Sequence, residues 1–316
     1  MLVFGYAVMD DANSLCDQAV AYFDSNPEYA FSLFRKAMET GSANGAFGMA
    51  EMLLRGHGVK KDSDLAISMY KLAAEAGHAP AMYRLGQLSS GEFGSVENPE
   101  ECREWFLKAA EAGLEDAYTE IAGIYMSGYG GPENFEAAFH WYSLATEAGR
   151  ADAMYAVSMM YGDGIGVKAD HEKSIDYMCR SAEAGYPQAM FSIGVMCHEG
   201  KIPGGIKKAI EWYESAINAG LEQAKFNLAT ALCDADEKDL TRAFSLYKEL
   251  ADKGDADAMY MVGSMLLEGS GTERDVESGF RYLGKSAASG NEAAMQIVES
   301  IRRRQNTQLI KIDGTE

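Results

Sequence analysis

The chain has 316 residues, 48 acidic against 28 basic, giving a formal net charge of −20. Such a surface repels phosphate backbones and anionic lipid, so neither nucleic acid nor an acidic membrane is an expected partner, and a basic protein or peptide is the natural complement. The same acidity also serves plain solubility, and both readings stay open here.

The first residues, MLVFGYAVMDD, form a short apolar run without a basic leader or small-residue cleavage site, so no targeting segment is expected. A degenerate helical pair follows, over about Asp11–Phe23 and Pro27–Thr40. Apolar residues make up 47%, and 33 Gly stand against 6 Pro, a composition that favours helix.

From there the chain repeats. Glycines recur at Gly41, Gly77, Gly113, Gly149, Gly185, Gly220, Gly254 and Gly290, with spacings of 34 to 36 residues. A glycine just past a helix is the expected left-handed terminator, and self-similarity at this period identifies stacked helical hairpins. The fourth residue after each glycine is small: Gly45, Ala81, Ala117, Ala153, Ala189, Ala224, Ala258, Ala294. The eighth is aliphatic or Met, from Met49 and Leu85 to Val262 and Val298. Seven residues before each glycine stands a large side chain: Phe34, Tyr70, Phe106, Tyr142, Met178, Tyr213, Tyr247, Leu283. Four residues earlier again the row is small, for example Ala30, Ala66 and Cys102. Offsets of four and seven keep both rows on one helix face. The large residues are read as wedges between hairpins.

Between the helices lie turns such as Gly56-His57-Gly58-Val59, Gly164-Ile165-Gly166-Val167 and Gly269-Ser270-Gly271-Thr272. Their glycines end the first helix, and the next residue is expected to plug the gap between units. The sixth loop, Cys233-Asp234-Ala235-Asp236-Glu237, has no glycine. A lone helix from about Asn291 ends the array, with Glu299 at the usually small ninth position. The tail RRRQNTQLIKIDGTE is expected to be partly disordered, with Arg302, Arg303 and Arg304 either folding back or docking a partner. The expected organisation is a capping pair over 1–40, a repeat array over 41–290, and a capping helix with tail over 291–316.

The unit A-x3-LG-x2-Y-x2-G-x-G-V, followed by D-x3-A-x2-WY-x-AAEAG, is clearest in Gly77–Gly91, Trp105–Gly113, Trp141–Gly149, Ala153–Val167 and Trp212–Gly220. It resembles the Sel-one-like repeat (SLR), a relative of the tetratricopeptide repeat, over about Ser42 to Gly290. The resemblance implies an all-α protein: a right-handed α/α superhelix, or solenoid, of about eight helix-turn-helix repeats of 34–36 residues plus a C-terminal capping helix. It also implies a non-catalytic adaptor or scaffold in protein complexes. An alternative use of such a scaffold is a dedicated inhibitor or immunity-type protein that occludes a toxic or signalling enzyme. A cysteine-rich branch of the family, with one disulfide per repeat, is linked to penicillin binding. Cys16, Cys102, Cys179, Cys197 and Cys233 keep no constant spacing, so that activity is the least favoured here.

If first helices line the inner wall, as the resemblance implies, a wheel of about 100° per residue nominates the concave groove. The candidate partner-binding residues are Tyr83, Arg84, Gln87, Asp116, Glu120, Asp152, Tyr155, Met159, Phe191, Phe226, Asn227, Asp257 and Tyr260. The sixth position after the glycine is mostly aromatic: Phe47, Tyr83, Thr119, Tyr155, Phe191, Phe226, Tyr260. These rings either flank the seam between repeats or offer stacking surfaces to a peptide. Among acidic neighbours such as Asp163, Glu199, Asp234 and Glu268, they would suit a Lys/Arg-bearing segment through cation–π contact. The methionines Met82, Met154, Met190, Met259 and Met295 fall inside the packed arc.

Catalytic signals are weak. The SxxK strings at Ser68–Lys71 and Ser245–Lys248 share one repeat register and have no KTG partner. His57, His78, His140, His171 and His198 are scattered, and there is no HExxH. Cys197-His198-Glu199 with Cys233 is the most metal-like cluster, but alternate positions send these side chains apart. No enzyme activity, cofactor or metal is expected. Five cysteines without a CxxC pair fit a reducing compartment, so the cytoplasm is the expected location.

Overall fold

The computed structural model describes residues 2–92 and 95–313, leaving aside the side chains of residues 2–10, 302 and 304–313. Among the described residues there are seventeen α-helices and no strand. The chain divides into two compact units, Met1–Ser174 and Ile175–Glu316.

The first unit holds α1 (Leu2–Tyr22), α2 (Pro27–Glu39), α3 (Ala43–Arg55), α4 (Ser63–Glu75), α5 (Ala79–Ser89), α6 (Pro99–Glu111), α7 (Asp116–Ser127), α8 (Phe135–Glu147) and α9 (Ala151–Asp163). Helix α10 (His171–Glu183) carries the boundary. The second unit holds α11 (Pro187–His198), α12 (Gly205–Asn218), α13 (Ala224–Asp234), α14 (Leu240–Asp252), α15 (Ala256–Glu268), α16 (Val276–Ala288) and α17 (Glu292–Asp313). Two boundaries differ from expectation. Helix α1 begins at Leu2 rather than near Asp11, and α17 runs as one helix to Asp313 where a partly disordered tail was expected.

The repeat positions explain the packing. All eight repeat glycines have positive φ, between 82° at Gly77 and 99° at Gly254, as a left-handed helix terminus requires. Every fourth-position residue is buried, from Gly45 to Ala294. Seven of the eight wedges are buried as well, and Tyr142 is half-buried. Tyr70, Tyr213 and Tyr247 are wholly inaccessible, so each stabilises its hairpin by about 1.5–3 kcal/mol of side-chain burial. Close approach depends on the small positions: a Cβ on Gly48 would lie 2.4 Å from the Phe34 ring, and one on Gly194 2.7 Å from Tyr213.

Second helices start on a recurring cap. Asn26, Asp62, Asn98, Asn134, Asp170, Asp239 and Asp275 each accept a hydrogen bond from a backbone N–H three residues on. Such a cap contributes about 1 kcal/mol. The exception is α12, whose cap position is Gly204, with no side-chain bond.

The Gly-x-Gly turns have a steric reason beyond φ. Gly166 (φ +67°) crosses the start of α8, where a Cβ would sit 2.1 Å from the Phe135 carbonyl oxygen. Gly271 does the same over Leu240 at 2.1 Å. Val59, after the first such turn, packs against the cores on both sides of it, as a plug should. In the glycine-free sixth loop Ala235 is buried and extended.

Candidate functional site

In the first unit the expected face draws on Tyr83, Arg84 and Gln87 of α5, Asp116 and Glu120 of α7, and Asp152, Tyr155 and Met159 of α9, all half-buried or exposed. Glu51 on α3 anchors one end of it. It accepts hydrogen bonds from Tyr70 Oη at 2.7 Å, Arg84 Nε at 2.8 Å and Arg55 Nη2 at 2.8 Å. Arg84 also donates to Gln87 Oε1 at 2.8 Å. Arg55 and Arg84 are therefore both engaged by Glu51. Glu51 was not among the expected site residues. The signal was its place at the tenth position, opposite a wedge tyrosine.

Around α7 and α9 the balance is negative. Arg150 grips Asp152 in a fork, Nε to Oδ1 at 3.1 Å and Nη2 to Oδ2 at 2.9 Å. Its third nitrogen lies 3.5 Å from Asp116 Oδ1. The Arg150 hydrogen bond holds the Asp152 carboxyl below the usual aspartate range. Tyr83 Oη donates to Glu120 Oε1 at 3.4 Å. Burial, followed by the charges of Glu120 and Asp116, pushes the Tyr83 phenol up to about 12. Partial burial likewise raises the Glu120 carboxyl, and the charges of Glu92 and Asp152 add to the rise. The Tyr83 hydrogen bond and Arg150 oppose it.

The third-position acids play a structural part that the wheel did not reveal. Arg150 reaches back 34 residues to Asp116, Asn291 Nδ2 reaches Asp257 Oδ1 at 2.6 Å, and His78 Nε2 meets Asn44 Oδ1 at 3.0 Å. At these three junctions the residue after a repeat glycine ties to the third position of the preceding repeat. Asp116 and Asp257 are members of this ladder as well as of the expected face.

The sixth-position row is half-buried throughout, from Phe47 to Tyr260. Its rings lean on the wedges of their own hairpins. Ring centroids are 5.8 Å apart for Phe47–Tyr70, 5.2 Å for Tyr83–Phe106, 5.9 Å for Phe191–Tyr213 and 5.2 Å for Phe226–Tyr247. In the second unit the half-buried Asn227 lies beside the Tyr213 hydroxyl but outside hydrogen-bonding geometry, and that hydroxyl is buried without a partner. Met159 is 43% exposed. Of the methionine row, Met154 is buried, while Met295 on α17 is exposed.

The other clusters go separate ways. Ser68 Oγ donates to the Asp64 carbonyl within its helix, while Lys71 Nζ lies 3.4 Å from Glu101. His198 Nε2 is 3.2 Å from Asp234 Oδ2, whereas the Cys197 thiol is buried and turned toward the Pro203 carbonyl. Among the described residues no three His, Cys, Asp or Glu side chains converge as metal ligands. All five cysteines are free, and no described helix is long and apolar enough to cross a membrane.

Paired helices closed by a left-handed glycine and wedged by one large residue define an α/α-hairpin repeat protein of the tetratricopeptide-like class. Sel1 repeats match eight stretches: residues 19–41, 43–78, 79–114, 116–149, 151–186, 187–221, 223–255 and 256–291. The chain belongs to the Sel1 repeat family. No curated protein matches it. Among solved structures it is similar to c5321, a protective antigen present in uropathogenic Escherichia coli strains and displaying an SLR fold. Identity there is 24%, the match covers 90% of this chain and 70% of that one, and the TM-score is 0.70. A Sel1 repeat protein from Oxalobacter formigenes is 23% identical over 90% of its length and 94% of this chain, with a TM-score of 0.68. These likenesses concern the fold, and the fold suggests a protein-interaction scaffold.

Proposed function

We propose that this chain is a non-catalytic adaptor whose first-helix face binds a protein segment rich in Lys and Arg. The observation that carries the reading is the grouping of Glu120, Asp116 and Asp152 about the half-buried Tyr83, with Arg150 as their cation. Burial is the main cause of the raised Glu120 carboxyl, and the negative charges of Glu92 and Asp152 add to it. A Lys or Arg from a partner entering beside Glu120 would offset those charges and lie against the Tyr83 ring, where cation–π attraction adds to the ion pair. The half-buried Tyr155, Phe191, Phe226 and Tyr260 extend the same surface type along other first helices. The repeat array would then span residues 41–290, between capping elements.

The test is affinity capture with the wild type and a Tyr155→Ala/Phe191→Ala/Asp152→Lys variant, followed by titration of each specific partner. The variant is expected to lose or weaken its partners, the more basic ones most. Retention of every specific partner at unchanged affinity would remove the first-helix face from consideration.

A further inference from the structure

A cleft of about 350 Å³ opens between α1 and α3, lined by Cys16, Val20, Phe23, Phe34 and Phe47. Its acids are Asp17 and Glu51 and its cation is Arg55. Glu51 and Arg55 are bonded to each other, while Asp17 makes no ion pair among the described residues. Of the lining residues Val20 is 66% exposed, and Tyr22, further along α1, is 43% exposed. An apolar hollow with uncovered apolar residues and one unanswered carboxylate is suited to a segment that is both apolar and basic.

The chain itself contains that segment. Its first 34 residues include five acids (Asp10, Asp11, Asp17, Asp24 and Glu28) and no Lys or Arg. Residues 300–312, SIRRRQNTQLIKI, show the opposite pattern, with Arg302, Arg303, Arg304 and Lys311 and no acid. Nowhere else in the sequence do three cations stand in a row. The same stretch carries Ile301, Leu309, Ile310 and Ile312, and Leu309 and Ile312 have the spacing of one helix face. Helix α17 is continuous through it, so the segment is already in the conformation that a helix-in-groove contact uses.

We infer that the α1–α3 cleft takes the C-terminal basic helix of a second copy of this chain, with an apolar side chain in the hollow and the arginines against the acidic α1. The contact joins two different surfaces of identical chains, so it is heterologous. It goes beyond the basic-partner reading and does not depend on it.

Two measurements test it on the full chain. Sedimentation over roughly 1–100 µM, the range in which a moderate contact appears, is expected to show association that grows with concentration. Val20→Asp and the triple Arg302→Glu/Arg303→Glu/Arg304→Glu variant are each expected to stay monomeric, and circular dichroism confirms that both remain folded. A labelled peptide of residues 300–312 is expected to bind the wild type, and to bind Val20→Asp at least about tenfold more weakly. The proposal is overturned if the wild type stays monomeric throughout, or if either variant associates as the wild type does. Equal peptide affinity for wild type and Val20→Asp overturns it too. So does a peptide that binds while the chain stays monomeric, since the segment then closes on its own chain.

Discussion

Three wedge tyrosines are wholly inaccessible, yet their hydroxyls meet different fates. Tyr70 Oη donates to Glu51 at 2.7 Å, and Tyr247 Oη lies 2.8 Å from Thr230 Oγ1. Both partners occupy the tenth position of the first helix in the same hairpin. At that position the hairpin of Tyr213 has Val195, which offers no acceptor, and the Tyr213 hydroxyl is buried without a hydrogen bond. A buried hydroxyl left unsatisfied costs about 1–3 kcal/mol, whereas a satisfied one contributes about 0.5–1.5 kcal/mol, or more when its partner is charged. Tyr213→Phe is therefore expected to be neutral or to stabilise by up to about 2 kcal/mol. Tyr247→Phe should cost about 1 kcal/mol, and Tyr70→Phe somewhat more because its acceptor is a carboxylate. Val195→Thr, which supplies the missing oxygen, is expected to stabilise only while Tyr213 keeps its hydroxyl. Thermal and urea unfolding of the three Phe variants, the Thr variant and the Val195→Thr/Tyr213→Phe double variant measure all of this. One kcal/mol corresponds to about 2–4 °C for a unit of this size. The reasoning fails if Tyr213→Phe destabilises as much as Tyr247→Phe, or if Val195→Thr acts equally in both backgrounds.

Other substitutions probe the remaining links. Gly166→Ala and Gly149→Ala both place a Cβ at positive φ, a strain of about 1–2 kcal/mol. Only at Gly166 does the Cβ also meet a backbone oxygen, so its loss of stability in urea unfolding should be clearly larger. Glu120→Gln tests the cost of holding a partly buried carboxylate on the first-helix face. A carboxyl whose folded pKa is raised favours the fold when protonated and loses that contribution as pH climbs through the raised value. The Gln variant should thus gain on the wild type as pH rises toward neutrality, and show no gain below the ordinary glutamate range; a loss at pH 7 would contradict it. Asn291→Ala removes both the cap of α17, which Ala294 N–H donates to at 2.8 Å, and the tie to Asp257. A loss of about 1–2 kcal/mol, seen as faster hydrogen exchange in α17 than in α15, is expected.

The hairpins were legible because each structural demand is stated eight times. A single Ala at a helix contact says little, but eight small residues at the fourth position all turned out buried. The wedge row read nearly as well for the same reason, with Tyr142 the one half-buried member. Relations that depend on the identity of one residue did not surface. Arg84 was placed on the charged face while Glu51 was passed over, because their meeting requires a residue on α3 to face one on α5 33 residues later. Arg150 stood outside the helical wheel, since it precedes α9 and belongs to a cap. The wheel therefore counted Asp116 and Asp152 as unanswered charges, and the structure shows one arginine answering both.

The aromatic sixth row shows why seam and groove need not be rival readings. Phe226 has one flank against Tyr247, at a centroid distance of 5.2 Å, and remains only half-buried. Its burial against the wedge fixes the ring without a partner, so a partner that lies on the open flank orders little further. Preorganisation of that kind lowers the entropic cost of binding. The second helices place rings differently. Trp105 carries Lys108 at 4.4 Å and Trp212 carries Lys208 at 5.9 Å, so those faces already hold cations of the chain itself. Charge follows the same division: on α7 and α9 the acids outnumber the single arginine that reaches them. A Lys- or Arg-bearing segment therefore has more to gain on the sixth-position rings than on Trp105 and Trp212, whose own lysines it would have to displace.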